Sequence, residues 1–246
     1  MLNHYYIGKV KVSVTDINAA IDNVVSSAPG QPKYVCVANV RTTVLGNRDE
    51  VYRRAVNNAF MNLPDGMPIV WAGRLSGAKE IRRTTGPDLF TELLRSKYRL
   101  KHYILGDTDE VISALIKKIG LDQPQTIISG FYSPPFTSIE NFNIEEIAGR
   151  INMTDSDIIW VALGSPKQDF FSEMLVKHLN RGIVIGVGAA FRFYLGEFRH
   201  PPLLFRKLGL EGVFWRFFKN PVTELKWYIH HIPAYIGLLT RLRYKH

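Results

Sequence analysis

The chain has 246 residues, 46% of them hydrophobic and 22% charged, with a net charge of +9 at pH 7 and a single cysteine. That is enough apolar material for a full core and too much for global disorder. An internal disulfide is excluded, and Cys36, inside the run YVCVANV, reads as a small core residue of a reducing compartment. The N-terminal stretch MLNHYYIGKVKV lacks the apolar block of a signal peptide, and no window reaches the roughly 18 uninterrupted apolar residues of a spanning helix. A cytoplasmic protein, soluble or peripheral to a membrane, is expected.

In chain order, helix-period segments alternate with short apolar runs. Apolar residues at helical spacing between Asp16 and Val25 predict a helix over Thr15–Ser27, followed by a strand over Tyr34–Asn39. Next come a helix at Asp49–Asn58, a strand at Pro68–Trp71, a helix at Gly86–Arg95 and a strand at His102–Gly106. A helix at Thr108–Ile119, a strand at Thr126–Gly130 and a helix at Ile144–Ile151, capped by Asn143, follow. The series closes with a strand at Ile158–Leu163, a helix at Pro166–Leu179 and a strand at Ile183–Val187. Such alternation predicts an α/β fold: a Rossmann-like layered domain with a mostly parallel sheet, over residues 1–198. Beyond it, Pro201-Pro202 opens a helical appendage over residues 199–246.

The appendage carries most of the excess charge. From Arg192 to His246 there are ten Lys/Arg against three Asp/Glu, interleaved with Phe205, Phe214, Trp215, Phe217, Phe218, Trp227, Tyr228 and Tyr235. Basic and aromatic residues on short helices suit an anionic membrane surface, and a solvated face over an apolar one is the alternative. No nucleic-acid-binding signature accompanies the charge, so no nucleic-acid partner is expected. The exposed aromatics leave a homo-oligomer open.

Ligands of open parallel sheets gather beyond the carboxyl ends of the strands. The candidates there are Asn39, Asp65-Gly66 in the turn before Pro68, Gly106-Asp107, Gly164 to Gln168 and Gly186 to Ala190. In Gly164-Ser165-Pro166-Lys167-Gln168 a strand-to-helix junction brings together backbone N–H groups, a hydroxyl, a cation and an amide, with Pro166 fitting the first helical position. An anion such as a nucleotide phosphate fits this junction, and so does a plain capping turn. Asp65 is a turn residue or, in a cleft, a base for an attacking hydroxyl. Gly186, Gly188 and Ala189 allow close backbone approach but lack the dinucleotide fingerprint. The triplets Asp107-Thr108-Asp109 and Asp155-Ser156-Asp157 are both read as helix-capping acids, and no histidine stands at ligand spacing from Cys36. Neither metal nor cofactor is expected.

The segments PDGMPIVWAGR, RRTTGPDLF, YILGDTDEV, VALGSPKQDFF, GVGAAFRFYLGEF and RKLGLEG occur in this order. Together, from about Tyr6 to Pro221, they resemble the WecG/TagA/CpsF family of bacterial glycosyltransferases. The resemblance implies inverting, metal-independent transfer from a UDP-sugar to a polyprenyl-diphosphate-linked saccharide at the inner face of the cell membrane, in cell-surface polysaccharide synthesis. It implies Asp65 as general base, with Asn39 and Gln168 as polar catalytic residues. It also implies that Arg83 and Arg216 offset diphosphate charge, and that GSPKQ and GVGAA line the UDP site. Three features depart from the family pattern: Val37 replaces a threonine, Arg192 replaces an acidic residue, and Thr223, Glu224 and Lys226 stand where arginines are usual. Arg192 could pair with a carboxylate of a uronic-acid donor, or be a surface substitution. The alternative function these departures raise is a non-catalytic nucleotide-sugar binder or assembly partner at the membrane surface.

Overall fold

The computed structural model describes residues 2–197 and 221–245, with side chains of 221–228 and 245 outside the description. Arg216, Pro201-Pro202 and the rest of residues 198–220 lie outside the described residues.

The chain opens with a hairpin, β1 (His4–Ile7) and β2 (Val10–Ser13), that the sequence reading did not include. Its signal is an alternation that buries Tyr5, Ile7, Val10 and Val12 around a Gly8-Lys9 turn. The main unit then alternates helix and strand. Asp16 caps α1 (Ile17–Ser27), and β3 (Lys33–Ala38) leads to α2 (Val40–Arg48) and α3 (Glu50–Asn58). β4 (Met61–Pro64) is followed by α4 (Met67–Leu75) and α5 (Gly86–Arg95). β5 (Lys101–Gly106), α6 (Asp109–Asp122), β6 (Ile127–Tyr132) and α7 (Ile144–Asn152) come next. β7 (Ile158–Ala162), α8 (Lys167–Leu175), β8 (Ile183–Gly186) and α9 (Ala190–Leu195) complete the series. As expected, Asn143 caps α7, its side chain accepting from the Glu146 N–H.

Six strands form one parallel sheet in the order β4-β3-β8-β7-β5-β6. Both faces are covered, which is why its strands read as continuous apolar runs. On one face Val35, Leu63, Ile104, Trp160 and Ile185 meet α1, α5, α6 and α9 through Val24, Phe90, Leu115 and Phe191. On the other, Cys36, Leu105, Val161 and Val184 meet α3, α7 and α8 through Tyr52, Ile147 and Phe171. Buried Cys36 is therefore a core residue, and Val37 belongs to the opposite core face.

Two expectations need correction. Pro68–Trp71 is not a strand but the first turn of α4; the strand is Met61–Pro64, just upstream. Four apolar residues cannot distinguish strand from helix by periodicity. Pro68 fits a helix start, and the alternation of buried Ile69, Val70 and Ala72 with exposed Trp71 and Leu75 is helical. The polar segment Val40–Arg48, given no element, is helical because Asn39 and Thr42 form a reciprocal capping box at its start.

The C-terminal end returns to the N-terminus. Strand β9 (Leu242–Lys245) pairs antiparallel with β1, Tyr5 opposite Tyr244, giving a three-stranded sheet β2-β1-β9. Helix α10 (Pro221–Leu239) buries Tyr235, whose hydroxyl donates to the Pro68 carbonyl at 2.8 Å, and Tyr5 donates to Ile69 at 2.6 Å. The hairpin, α4 and the last helix thus share a third apolar cluster. Among the described residues, no helix is long and apolar enough to cross a membrane.

Candidate active site

The candidate residues fall along the carboxyl edge of the parallel sheet, in two groups joined at the centre. The first group lies over β3 and β4. Ala38 is in register with Pro64, so Asn39 and Asp65 leave the sheet side by side, and the Asp65 N–H donates to Ala38 at 2.8 Å. Asn39 caps α2: its Oδ1 accepts from the Thr42 N–H at 3.1 Å, leaving its amide NH2 for another partner. Thr84 N–H donates to the Pro64 carbonyl at 2.9 Å, which brings Arg83 to the same corner. Both Asp65 and Arg83 are partly exposed.

The link between the groups is Gln168. Its Oε1 accepts from the N–H of Gly164 at 3.1 Å and of Gly188 at 3.0 Å, and its Nε2 donates to Ser165 at 3.3 Å. The GSPKQ turn after β7 and the GVGAA turn after β8 are thereby stapled together. Gly186 is required here, because a Cβ on it would sit 2.8 Å from the Gln168 amide nitrogen. With 3% exposure, Gln168 is a buried staple rather than a cleft-facing amide. Two backbone donors that suited an anion in the sequence reading are spent on it. Pro166 precedes α8 rather than opening it, and is joined to Ser165 by a cis bond.

Beneath the staple, Asp169 is buried and accepts from the Tyr52 hydroxyl at 2.6 Å. Burial pushes its carboxyl up to about 6, against the opposing pull of the Tyr52, Ser165 and Cys36 side chains. This group lay unmarked in the sequence: nothing in KQDFF distinguishes a buried Asp169 from a surface acid of a first helical turn.

The second group, over β5, β6 and β7, surrounds a cleft of about 780 Å³, the size of a small-ligand site. Its walls include Asp107, Ser133, Phe136, Gly164, Lys167, Gly188, Ala189 and Arg192. Asp107 has φ 63°, a left-handed backbone that non-glycine residues rarely adopt. Its carboxylate takes two bonds from Arg192, at 2.9 Å from Nε and 2.6 Å from Nη2, while Arg192 Nη1 reaches Glu197 at 3.0 Å. Those bonds, the Asp107 pair foremost, raise the Arg192 pKa. The capping assignments are corrected accordingly: Thr108 caps α6, while Asp107 holds Arg192. At the opposite edge Asp155 and Asp157 bind Arg181, and Asp155 also binds Lys101. Lys167 donates its ammonium to the Thr137 carbonyl and lies over the Phe142 ring at 4.6 Å. The loop Ser133-Pro134-Pro135-Phe136, absent from the sequence-derived candidates, is signalled only by a double proline after an apolar strand.

Among the described residues, no group of three His, Cys, Asp or Glu side chains is placed to hold a metal ion. A parallel α/β sheet with a cleft of ligand size beyond the carboxyl ends of its strands is a Rossmann-like domain whose candidate site lies where such sheets bind their ligands. A sequence profile of the Glycosyl transferase WecG/TagA/CpsF family matches residues 5–246, and the chain belongs to that family. It is a glycosyltransferase. It is 28% identical over 205 residues to an N-acetylglucosaminyldiphosphoundecaprenol N-acetyl-beta-D-mannosaminyltransferase of Bacillus spizizenii, covering 82% of this chain and 77% of the relative. Proteins of the same name from Bacillus subtilis (28% identity; 71% of this chain and 66% of the relative) and Staphylococcus aureus strain NCTC 8325 (26%; 74% and 70%) are also similar.

Proposed function

We propose that the chain is an inverting, metal-independent glycosyltransferase that moves a sugar from a UDP-sugar to a polyprenyl-diphosphate-linked saccharide in cell-surface polysaccharide assembly. The observation that carries this reading is the pairing of Asn39 with Asp65 at the ends of β3 and β4, beside the stapled loops of the second group. The similarity to enzymes whose name specifies an N-acetylglucosaminyldiphosphoundecaprenol acceptor supports the acceptor class.

In the proposed reaction Asp65 removes the proton of the acceptor hydroxyl as its oxygen attacks the anomeric carbon from the face opposite the nucleotide. The anomeric bond to UDP breaks and the diphosphate departs with the electron pair. Its charge is offset by Arg83 and by Arg216 from outside the described residues. Asn39 donates its amide N–H to a sugar hydroxyl. Gln168 acts as a positioning residue, holding the two loops that border the nucleotide cleft.

Docking on the inner face of the membrane is part of the proposal. Ile229, Ile232 and Ile236 recur on α10 near one helical period and are 62, 43 and 58% exposed, which supports an apolar face available to a bilayer. An Ile232→Glu chain that sediments with anionic vesicles as fully as the wild type would count against it.

The test of the reaction is sugar transfer from a panel of UDP-sugars to an undecaprenyl-diphosphate-linked acceptor, in EDTA. Transfer that survives chelation, inverts the anomeric centre and collapses in Asp65→Asn is expected. Transfer abolished by EDTA and restored by a divalent cation would overturn the metal-independent step.

A further inference from the structure

Asp169 stands in the first turn of α8, where an acid on the surface would already favour the helix dipole. Here it is 1% exposed instead. Taking a carboxylate out of water is costly, and an asparagine would fill the same space without the charge. The Tyr52 hydroxyl occupies one oxygen, Oδ2, while Oδ1 has no complete hydrogen bond among the described residues. The Ser165 hydroxyl and the Cys36 thiol lie close enough to favour the charged form.

Hydrogen-bond direction makes Ser165 the informative neighbour. A carboxylate only accepts, so a Ser165 hydroxyl turned toward Asp169 donates its proton there. Its oxygen is left to accept, and it does so from Gln168 Nε2 at 3.3 Å. With Nε2 engaged, Gln168 turns Oε1 to the N–H groups of Gly164 at 3.1 Å and Gly188 at 3.0 Å. Asp169, Ser165, Gln168 and the two glycine amides thus form one directed chain whose acceptor end is the anion. A neutral acid or an amide at 169 reverses the first link. Its donor meets Ser165 Oγ beside the Gln168 donor, and the Ser165 proton has to turn elsewhere.

We propose, on the reading that the donor nucleotide occupies the cleft bordered by these loops, that anionic Asp169 is a positioning residue for the donor site, fixing the loops after β7 and β8 through Ser165 and Gln168. Its carboxyl, pushed up by burial to about 6, changes charge between pH 5 and 7.5. Burial raises Tyr52 on α3 and Tyr34 and Cys36 on β3 above their ordinary values, so they stay protonated over that range. Glu173, on the same helix as Asp169, acts on Tyr34 and Cys36 and accepts from Asn58 at 3.4 Å. Arg41 on α2 acts on Tyr52, and Lys11 on β2 acts on Cys36.

The test is amide hydrogen exchange of the full chain by NMR, with calorimetric titration of UDP at pH 7.5. In wild type the protection factors of the Gly164 and Gly188 amides are expected to fall about tenfold from pH 7.5 to pH 5, while that of Trp160 inside β7 holds. In Asp169→Asn both should be low already at pH 7.5 and not respond to pH. Its urea midpoint should stay close to wild type, with UDP bound about tenfold more weakly. The wild-type pH response is readable whether or not Asp169→Asn folds, and its absence would overturn the proposal. Glu173→Gln should keep that response, and losing it there would overturn the assignment to Asp169. Wild-type protection of both glycines in Asp169→Asn would overturn the positioning role and leave the donor-site reading standing. So would a loss of protection shared by Trp160 with a lowered urea midpoint, because the acid would then only hold the fold. A wild type that binds neither UDP nor UDP-sugars would bring down the donor-site reading, and the role of Asp169 in it.

Discussion

Two acidic triplets of the same form, Asp107-Thr108-Asp109 and Asp155-Ser156-Asp157, sit at opposite ends of the same sheet and do different work. Asp155 and Asp157 precede β7 and are closed off by cations from neighbouring segments, Arg181 Nη1 at 2.6 Å from Asp155 and Lys101 Nζ at 3.1 Å. Asp157 also accepts from the Lys101 backbone N–H at 2.8 Å, fixing β7 against β5. Asp107 follows β5 at the carboxyl end and also takes an arginine, but that pair forms the wall of a cleft. The ion pairs are alike; what differs is whether the strand ends around them converge on packed turns or open toward a ligand.

The comparison is broken if changes at the two ends have the same consequences. The largest effect belongs to the carboxyl edge: Asp65→Asn should lower turnover by about 10²- to 10⁴-fold, with the denaturant midpoint and UDP affinity close to wild type. Gln168→Ala should be mixed. It strips the acceptor from two backbone N–H groups at a buried site, so a stability loss of roughly 3 kcal/mol in urea titration should accompany weaker UDP binding.

At the amino end, His102 sharpens the contrast through pH. Buried against Trp160, whose indole N–H donates to its Nδ1 at 3.0 Å, it has its pKa lowered by burial from 6.5 to about 4. The unfolded chain therefore binds a proton that the folded chain refuses between those values. Stability from this group is fully present above about pH 6.5 and falls as pH drops toward 4, by up to roughly 3 kcal/mol. Urea titrations at pH 7 and 4.5 should show that increment in wild type and not in His102→Asn, whose turnover at pH 7 stays close to wild type. The smallest effect is Arg181→Ala, about 1 kcal/mol of stability with unchanged transfer, since its partners are partly solvated. If Arg181→Ala reduced transfer with stability intact, the division between the two ends would fail.

Legibility followed the local signals. The βα alternation and most elements over Thr15–Val187 could be read because buried parallel strands are apolar throughout and helices repeat near 3.6. Gly86–Arg95 matches its helix to the residue. The hairpin escapes the pattern because four-residue strands are short, and Pro68–Trp71 passes for a strand because a short apolar run carries no period. In the site, the motif positions of Asn39, Asp65 and Gln168 were readable, but the consumption of Gln168 by two loops was not. Nor was the pairing of Arg192, whose partner Asp107 is 85 residues away in sequence.

By itself, then, the sequence determined the layering, the strand ends worth ranking and the family, because periodicity and ordered motifs are local properties of the chain. Tertiary structure decided that β9 closes on β1, that Gln168 staples rather than faces the cleft, and that two acidic triplets of the same form diverge. Each of these depends on which distant backbone donors and charges arrive at the same place, and strand order, not neighbouring residues, sets that.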